Sequence, residues 1–396
     1  MKSDNRTRWL IFALILVSGF LGSQDVMASH VTEEDPPNHS REGDLTLDAK
    51  GYIKTIASAS ETVFGENYFL DLTRARFDLE LRYKKRFAFR VVYDQEALLG
   101  DYPRTQEFKQ VNDVEEKDFL DLDWTLLDRK NIFWQHSFYR AYGQYKSEKF
   151  SIAAGRQRIA WGTGRLWNPT DLFNPVDPLQ LEQDEKRGID AVGLDLFFGD
   201  FSFLNLVYAP QRSREDLKAG IRLKTSLEDW DLSVMGGRFE EDKVIGGDFS
   251  TTLFEGGLRG EMTYTRTSTD NNDFFRFVLS YDYTFENSLY FLFECFYNGG
   301  NLPVFDLTSF LQDGIVTVQK NLLGLNLGYD ITPLIRAETL FIWDVDGKST
   351  FIWPKLIWSV AQNLDATLSG QIYHGNEDSE FGPFSNLYHA ELQYFF

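Results

Sequence analysis

Apolar and polar residues alternate with a period of two over many short segments of the chain. In the segment 275–285 one face carries Phe275, Phe277, Leu279, Tyr281, Tyr283 and Phe285. The other face carries Arg276, Val278, Ser280, Asp282 and Thr284. The segment 73–83 alternates in the same way. Helical spacing would mix the two faces, so the pattern predicts antiparallel β-strands that are apolar on one side.

The connections between these segments are of two kinds. Short turns are predicted at 83–86, 146–149, 198–200, 227–229, 286–288, 331–333 and 361–363. Longer polar stretches lie at 94–130, 158–187, 210–216, 299–319 and 375–386. A soluble sandwich would show the same alternation along its strands, but short turns alternating with long loops favour a transmembrane barrel. The chain is therefore predicted to be all-β, an up-and-down barrel with short periplasmic turns and long external loops.

The number of strands follows from the chain direction. Seventeen segments alternate clearly, whereas single-chain bacterial barrels have an even number of strands. The strands near 230–239 and 255–265 both run outward, so an inward strand must lie between them. Residues 243–249 can form it, with 250–253 as the turn. Eighteen strands are predicted, with sixteen as the alternative.

Composition separates the membrane classes. The mean hydropathy is −0.33, and no long apolar segment follows the N-terminal one, which excludes a helical membrane protein. Aromatic residues nevertheless make up 16% of the chain, with 35 Phe and 18 Tyr. A barrel reconciles these values, because only every second strand residue meets lipid and aromatic residues collect at the two interfaces.

The N-terminus has the layout of an export signal. Lys2, Arg6 and Arg8 precede an apolar run over 9–21, and small residues at 26–28 supply a cleavage site. The predicted organisation is a signal peptide at 1–28, a short disordered periplasmic segment at 29–43 and the barrel at 44–396. The predicted location is the outer membrane of a Gram-negative bacterium, reached through the periplasm.

Charge and cysteine content exclude several partners. The net charge is −20, which argues against nucleic acid because phosphate binding needs a basic face. The single cysteine, Cys295, cannot form an intramolecular disulfide. No cluster of His and Cys has the spacing of a metal site, and no cofactor is predicted.

The C-terminal segment 387–396 alternates up to the last residue. Tyr394 and Phe396 lie on its aromatic face. A barrel strand that ends in an aromatic residue resembles the signal by which the barrel-assembly machinery recognises outer-membrane proteins. That machinery and the outer-membrane lipid are therefore predicted partners.

If the apolar faces meet lipid, the opposite faces line the lumen. This assigns Arg74, Arg76, Arg90, Arg140 and Arg156 to one stretch of inner wall. Charges at this density suit a water-filled interior. The functional interpretation is an arginine-rich wall that selects anionic solutes. A network of ion pairs that seals the barrel is the structural alternative, and the sequence leaves both open.

The most distinctive loop is the third external one, 158–187. Its predicted functional residues are Trp161, Arg165, Trp167, Asp171 and Asp177. A loop of this length with its own apolar residues is usually functional. In general porins the third loop folds into the lumen and narrows it. Here the two aspartates would then face Arg74, Arg76, Arg140 and Arg156, whereas the alternative is a lid at the barrel mouth.

Three passages resemble a known group of proteins. The first is the segment 155–175, which contains Gly155-Arg156-Gln157, Trp161-Gly162, Asn168-Pro169 and Asn174-Pro175. The second is the passage Gly246 to Glu261, and the third is the aromatic C-terminus. Together they are similar to porin-type outer-membrane proteins related to the alginate-export group. The resemblance implies an eighteen-stranded monomeric barrel with an arginine-rich pore for anionic compounds.

The predicted function is a channel for passive diffusion of small hydrophilic, anionic solutes. An enzyme is not predicted, because the chain has no G-x-S-x-G motif and its five histidines are scattered. The alternative is a sealed barrel with a structural, adhesive or lipid-hydrolysing role.

Overall fold

A computed structural model describes residues 45–113, 117–174, 179, 187–199, 201–268, 272–305 and 316–396. The predicted signal peptide (1–28) and the segment 29–43 lie outside these residues and stay predictions. Strands make up most of the rest of the chain.

Nineteen strands follow one another within the described ranges. They are β1 (Leu45–Glu61), β2 (Asn67–Tyr83), β3 (Phe87–Gly100), β4 (Asp123–Arg129), β5 (Ile132–Lys146), β6 (Phe150–Gln157), β7 (Ile189–Phe197), β8 (Phe203–Ala209), β9 (Lys218–Leu227), β10 (Trp230–Phe239), β11 (Asp242–Leu253), β12 (Gly256–Arg266), β13 (Phe274–Thr284), β14 (Tyr290–Asn298), β15 (Asn321–Thr332), β16 (Ile335–Asp344), β17 (Thr350–Ala361), β18 (Leu364–His374) and β19 (Leu387–Phe395).

The sheet closes on itself. Consecutive strands pair antiparallel, and β1 pairs with both β2 and β19. The exception is β4, which pairs only with the first residues of β5, while β5 pairs with β3 on its other side. Eighteen strands therefore form the closed barrel, which confirms the predicted count.

The strand between β10 and β12 is present but longer than predicted. It extends to Leu253, and Ser250 to Leu253 pair with neighbouring strands, so they are not the turn. The turn is formed by Phe254 and Glu255, whose φ angles are 48° and 64°. Positive φ at both central residues is the conformation of the tightest β-hairpins.

Connections of different length gather at the two ends of the barrel. The β2–β3, β9–β10 and β11–β12 hairpins lie at one end, which we call the turn end. The other end, the loop end, carries the long connections 101–131, 158–188, 299–320 and 375–386. A seven-residue helix, α1 (Gln106–Asn112), lies in the first of these and packs Phe108 against Leu98 and Phe133. Among the described residues, no helix is long and apolar enough to span a bilayer.

The two faces of the strands differ as the alternation predicts. On β13, Phe275, Phe277 and Leu279 are exposed on the outer surface, whereas Val278 and Ser280 are buried inside. The exposed apolar outer surface is typical of a transmembrane barrel. The inner face is polar and charged over much of its area, and it holds the candidate site.

The C-terminus lies at the seam that closes the barrel. Phe396 and Gly51 exchange two backbone hydrogen bonds of 2.9 Å, and the Phe396 ring packs against Phe77 at 5.8 Å. Tyr394 is exposed on the outer face of β19. The role of Tyr394 and Phe396 as an assembly signal stays a prediction.

Candidate functional site

Most of the described residues in the connection 158–188, between β6 and β7, lie inside the barrel. We call residues 158–174 together with Leu179 the inward loop. It is the third connection at the loop end, as the sequence predicts. Its residues contact the inner face of strands that lie far from β6 around the barrel, so its path crosses the lumen.

One anchor of the inward loop is Glu294, in the middle of β14. Its carboxylate accepts backbone hydrogen bonds from Arg165 at 3.0 Å, Leu166 at 3.0 Å and Trp167 at 2.7 Å. The side chain has no exposed surface. A buried carboxylate is tolerated when several donors converge on it, and charge-assisted bonds of this kind are the strong ones. Glu294 therefore holds three successive loop residues against the wall.

A second anchor is Glu261, in the middle of β12. Its Oε1 accepts the backbone N–H groups of Thr163 and Gly164, each at 2.5 Å. Its Oε2 accepts both the backbone N–H of Thr170, at 3.1 Å, and the Thr170 hydroxyl, at 2.9 Å. Glu261 thus ties together two parts of the inward loop that are separated along the chain.

Apolar contacts complete the docking. The Trp161 ring packs edge-on against Phe173 at 5.0 Å, and its Nε1 donates to Asn205 on β8 at 2.9 Å. The Trp167 ring stacks on Phe296 of β14 at 5.2 Å. Both tryptophans are almost fully buried, so the predicted loop residues Trp161 and Trp167 pack against the barrel wall.

The inward loop also reaches the far side of the barrel. The carbonyl oxygen of Leu179 accepts a hydrogen bond of 3.0 Å from Gln371 on β18. Mid-strand contacts at Glu261 and Glu294 place the loop inside the lumen, whereas a lid at the mouth would touch only the strand ends. Asp177 lies outside the described residues.

Gly162 is required for this path, because its φ is +86° and an added Cβ would overlap the side chains of Asn168 and Thr170. We expect Gly162→Ala to weaken docking of the inward loop on Glu261, through a backbone strain of about 1–3 kcal/mol and the overlap. Protease cleavage of folded protein within the loop should become faster. Gly199→Ala is the matched control, since its φ is +89° and nothing lies within 4 Å of the added atom. Equal cleavage of both variants would contradict this role.

Arg74 and Arg76 lie on the inner face of β2, where both are buried. Arg76 donates to the Asp94 carboxylate on β3 through Nε at 2.6 Å and Nη2 at 2.5 Å. Arg74 Nε lies 3.5 Å from Asp94, and its Nη2 pairs with Glu96. The Arg76 guanidinium also lies 4.1 Å from the centre of the Tyr139 ring, a cation–π geometry.

The same wall carries Arg90 and Arg140. Arg90 pairs with Asp78 through hydrogen bonds of 3.0 and 2.7 Å. Arg140 on β5 lies opposite the buried Val92 in the strand pairing. The structure therefore brings four of the five predicted arginines to the inner wall of β2, β3 and β5.

The prediction for Arg156 is wrong, because this residue lies on the outer face of β6. Alternation puts it on the same face as the exposed Ile152. Its guanidinium contacts three carboxylates at 3.0–3.1 Å, those of Asp118, Asp123 and Asp190. The segment before β4 covers it, so Arg156 has no exposed surface and does not line the lumen.

Arg165 and Asp171 differ in exposure. Arg165 is the one exposed residue between Trp161 and Asn174, and its guanidinium makes no ion pair within the described part of the chain. Asp171 is buried and accepts a hydrogen bond of 3.3 Å from the backbone N–H of Asn174. The structure thus presents Arg165 to the lumen, and Asp171 supports the turn of the loop.

Comparison with known proteins gives a match by structure alone. No protein-family model matches the chain, and no curated protein matches its sequence. The structure is similar to that of Pseudomonas aeruginosa OpdQ, with a TM-score of 0.58 and 11% identity over 88% of this chain and 98% of that one. Acinetobacter baumannii OccAB1 gives a TM-score of 0.57 and 8% identity over 88% and 96%. Pseudomonas aeruginosa OpdK with vanillate gives 0.54 and 8% over 88% and 98%.

These solved structures are outer-membrane porins. At such identities the match establishes the fold, which is the one that the resemblance to porin-type proteins implies. The chain therefore has the closed eighteen-stranded fold that these porins share.

Proposed function

We propose that this chain is a channel in the outer membrane of a Gram-negative bacterium through which small hydrophilic, anionic solutes diffuse passively. The observation that carries the proposal is the inward loop, which enters a polar lumen and is fixed at mid-strand by Glu261 and Glu294. A loop held at this height narrows the path and brings solutes close to the wall. The similar solved structures, all porins, support the same function.

Anion preference is supported by the wall of β2, β3 and β5. Arg74, Arg76 and Arg140 outnumber the two carboxylates that stand among them, Asp94 and Glu96. Arg165 adds an exposed cation on the inward loop. A narrow path lined by an excess of one charge raises the local concentration of counter-ions. The solved structure of OpdK contains vanillate, a carboxylate, which supports solutes of this class.

Passive transport needs no catalytic centre, and we propose none. The described residues contain no group of three or more His, Cys, Asp or Glu side chains that could hold a metal ion. The three described histidines, His136, His374 and His389, lie on different strands. The chain is accordingly proposed to act as a channel and not as an enzyme.

A sealed barrel is the second candidate, and one observation favours it. The inward loop contacts strands from β8 to β18, and Arg74, Arg76 and Arg90 are all engaged in ion pairs. Contacts of this kind also stabilise a barrel whose lumen is closed to solutes. Single-channel recording of purified protein in a planar bilayer separates the candidates. Stable ohmic steps support the channel, and silence from correctly folded protein supports the sealed barrel.

The selectivity part of the proposal predicts the behaviour of a triple variant, Arg74→Gln, Arg76→Gln and Arg140→Gln. Removing three cations leaves Asp94 and Glu96 without their guanidinium partners, so the wall becomes negative. We expect the anion-to-cation permeability ratio, read from the reversal potential in a salt gradient, to fall by roughly threefold to tenfold.

The control is Arg212→Gln, which removes a half-exposed arginine in the β8–β9 connection at the loop end. It should leave the reversal potential unchanged. An unchanged reversal potential in the triple variant would exclude the arginine wall as the selectivity element, although the channel itself would stand.

A further inference from the structure

The short turns at the turn end differ in charge. Within the described residues, the turns that follow β7, β9, β11, β13, β15 and β17 contain no lysine or arginine. The β2–β3 and β5–β6 turns carry five such residues within them or directly beside them. We call these residues the basic patch: Lys84, Lys85, Arg86, Lys146 and Lys149. The chain has a net charge of −20, so this concentration of positive charge is confined to one sector.

The two turns of the basic patch are neighbours, because β3 pairs with β5. The backbone N–H of Lys146 donates to the carbonyl oxygen of Arg86 at 2.8 Å. All five residues of the patch are exposed, and Glu148 is the one acidic residue in the two turns. Within the described part of the chain, Lys85, Arg86 and Lys149 form no ion pair. The patch therefore presents positive charge that the chain itself does not neutralise.

The geometry of the β2–β3 turn does not account for its lysines. The φ angles of Lys84 and Lys85 are 51° and 52°, and the Arg86 N–H donates to the Tyr83 carbonyl oxygen at 3.2 Å. A tight turn of this conformation favours Asn and Gly at its two central positions, since a Cβ is disfavoured at positive φ. The property that the two lysines supply is therefore their charge.

A row of aromatic side chains lies beside the basic patch on the outer surface. Ring centres are 6.5 Å apart between Tyr83 and Phe87, and 5.0 Å apart between Phe87 and Tyr145. The next ring, Phe150, lies 5.7 Å from Tyr145. We call these four residues the aromatic row. Lys84 Nζ lies 5.2 Å from the centre of the Tyr83 ring, a cation–π geometry that places the charge next to the row.

Beyond the aromatic row, the outer surface stays apolar toward the loop end. Leu79, Phe89 and Ile152 are exposed there on β2, β3 and β6. Aromatic residues mark the membrane interface of a barrel, and the apolar band follows them. From the turn end upward, this sector is thus cationic, then aromatic, then apolar. A phospholipid has a matching order, with an anionic phosphate, an interfacial glycerol and acyl chains.

We propose that the basic patch and the aromatic row bind an anionic phospholipid of the periplasmic leaflet. Lysine and arginine donate to phosphate oxygens, and clusters of them at a membrane surface are suited to anionic headgroups. The acyl chains lie along the aromatic row and the apolar residues beyond it. An acidic protein would contact the charges but would leave the aromatic row without a role. This inference does not depend on solute conduction.

Native mass spectrometry of the full chain tests the inference by comparing phosphatidylglycerol with phosphatidylcholine. We expect the wild-type chain to bind phosphatidylglycerol more tightly. In the triple variant Lys84→Asn, Lys85→Gly and Lys149→Gln, this affinity should fall about tenfold to a hundredfold, because three cations near the headgroup are lost. Asparagine and glycine suit the turn, and heat-modifiable migration on gels shows that the barrel is folded.

The matched control removes three exposed cations from the loop end, through Lys109→Gln, Arg129→Gln and Lys130→Gln. It has the same net charge as the triple variant and should keep the wild-type affinity for phosphatidylglycerol. Equal affinity of the wild-type chain for the two lipids would overturn the inference. So would an unchanged affinity in the triple variant, or an equal loss in both variants.

Photo-cross-linking locates the bound lipid. In liposomes, a phosphatidylglycerol that carries a photoreactive group next to its glycerol should label peptides from 79–89 and 145–152. The label should be lost from these peptides in the triple variant and kept in the control. Labelling spread evenly over all strands at the turn end would show contact with bulk lipid only and would contradict a specific site.

Discussion

Replacing both Glu261 and Glu294 with glutamine is expected to raise the single-channel conductance and the open-channel noise. These two carboxylates hold the inward loop through hydrogen bonds to Thr163, Gly164 and Thr170 on one side and to residues 165–167 on the other. Glutamine keeps one acceptor oxygen but turns an NH2 group toward backbone donors, and it removes the charge. Each hydrogen bond to a charged group contributes about 1.5–3 kcal/mol.

The loop in this variant is expected to leave the lumen for a large fraction of the time, because seven such bonds are weakened together. Conductance in a planar bilayer measures the widened path, and protease cleavage within 158–174 measures release of the loop. Glu338→Gln is a suitable control, since Glu338 on the inner face of β16 pairs with Arg336 and does not touch the inward loop. Unchanged conductance with unchanged cleavage would show that other contacts hold the loop.

Loss of the Arg156 guanidinium is expected to release the segment before β4 from the barrel. Arg156→Gln leaves Asp118, Asp123 and Asp190 close together without their main cation. Removing one partner of a buried ion pair costs about 3–5 kcal/mol. Much of this cost should appear as local opening, because Arg156 and its partner Asp190 also hold Leu120. The Leu120 carbonyl oxygen accepts a hydrogen bond from Arg156 at 2.8 Å, and its N–H donates to Asp190 at 2.7 Å.

Limited proteolysis of the folded protein measures this opening, with new cleavage between β3 and β5 as the expected result. Arg156→Lys should give an intermediate rate, since lysine keeps the charge but cannot form the forked contacts of a guanidinium. Arg82→Gln is the control, because Arg82 is half exposed and pairs with Glu80 at the turn end, away from this segment, and exposed pairs contribute at most about 1 kcal/mol. Cleavage of Arg156→Gln at the wild-type rate would contradict the role of Arg156 as a tether.

The barrel could be predicted because its main determinants are local. Period-two alternation fixes which face of a strand is apolar, and parity of the strand number requires an inward strand between β10 and β12. The end of that strand could not be predicted, since Phe254 and Glu255 are not residue types that mark a turn with positive φ. The short strand β4 could not be predicted either, because it lies within a long polar stretch.

Arg156 is the arginine for which the predicted strand face is wrong. Its charge favours the lumen, but it shares a strand face with Ile152 and Ala154. Burial on the outer surface is possible because the segment before β4 folds over it, where Asp118 supplies a carboxylate and Leu120 a carbonyl oxygen. A charged residue on a lipid-facing face is costly by itself, so the tertiary contact decides its position.

The anchors of the inward loop could not be assigned from sequence. Thr163 and Glu261 are 98 residues apart, and an acidic residue on an inner strand face has many uses. The two passages that carry the resemblance to porin-type proteins do contain both partners, since Gly162 to Gly164 lies in the first and Glu261 ends the second. Their contact in the lumen gives a physical reason for both motifs.

The sequence by itself determined the class of fold, the strand count, the outward apolar faces and the position of the third loop, because these depend on periodicity and on the order of turns along the chain. Only the tertiary structure decided which carboxylates hold that loop, which arginines face the lumen and where polar groups meet the outer surface. Those features depend on contacts between residues far apart in sequence. Side-chain pairing across a closed sheet is set by the strand register, which the sequence of one segment alone does not determine.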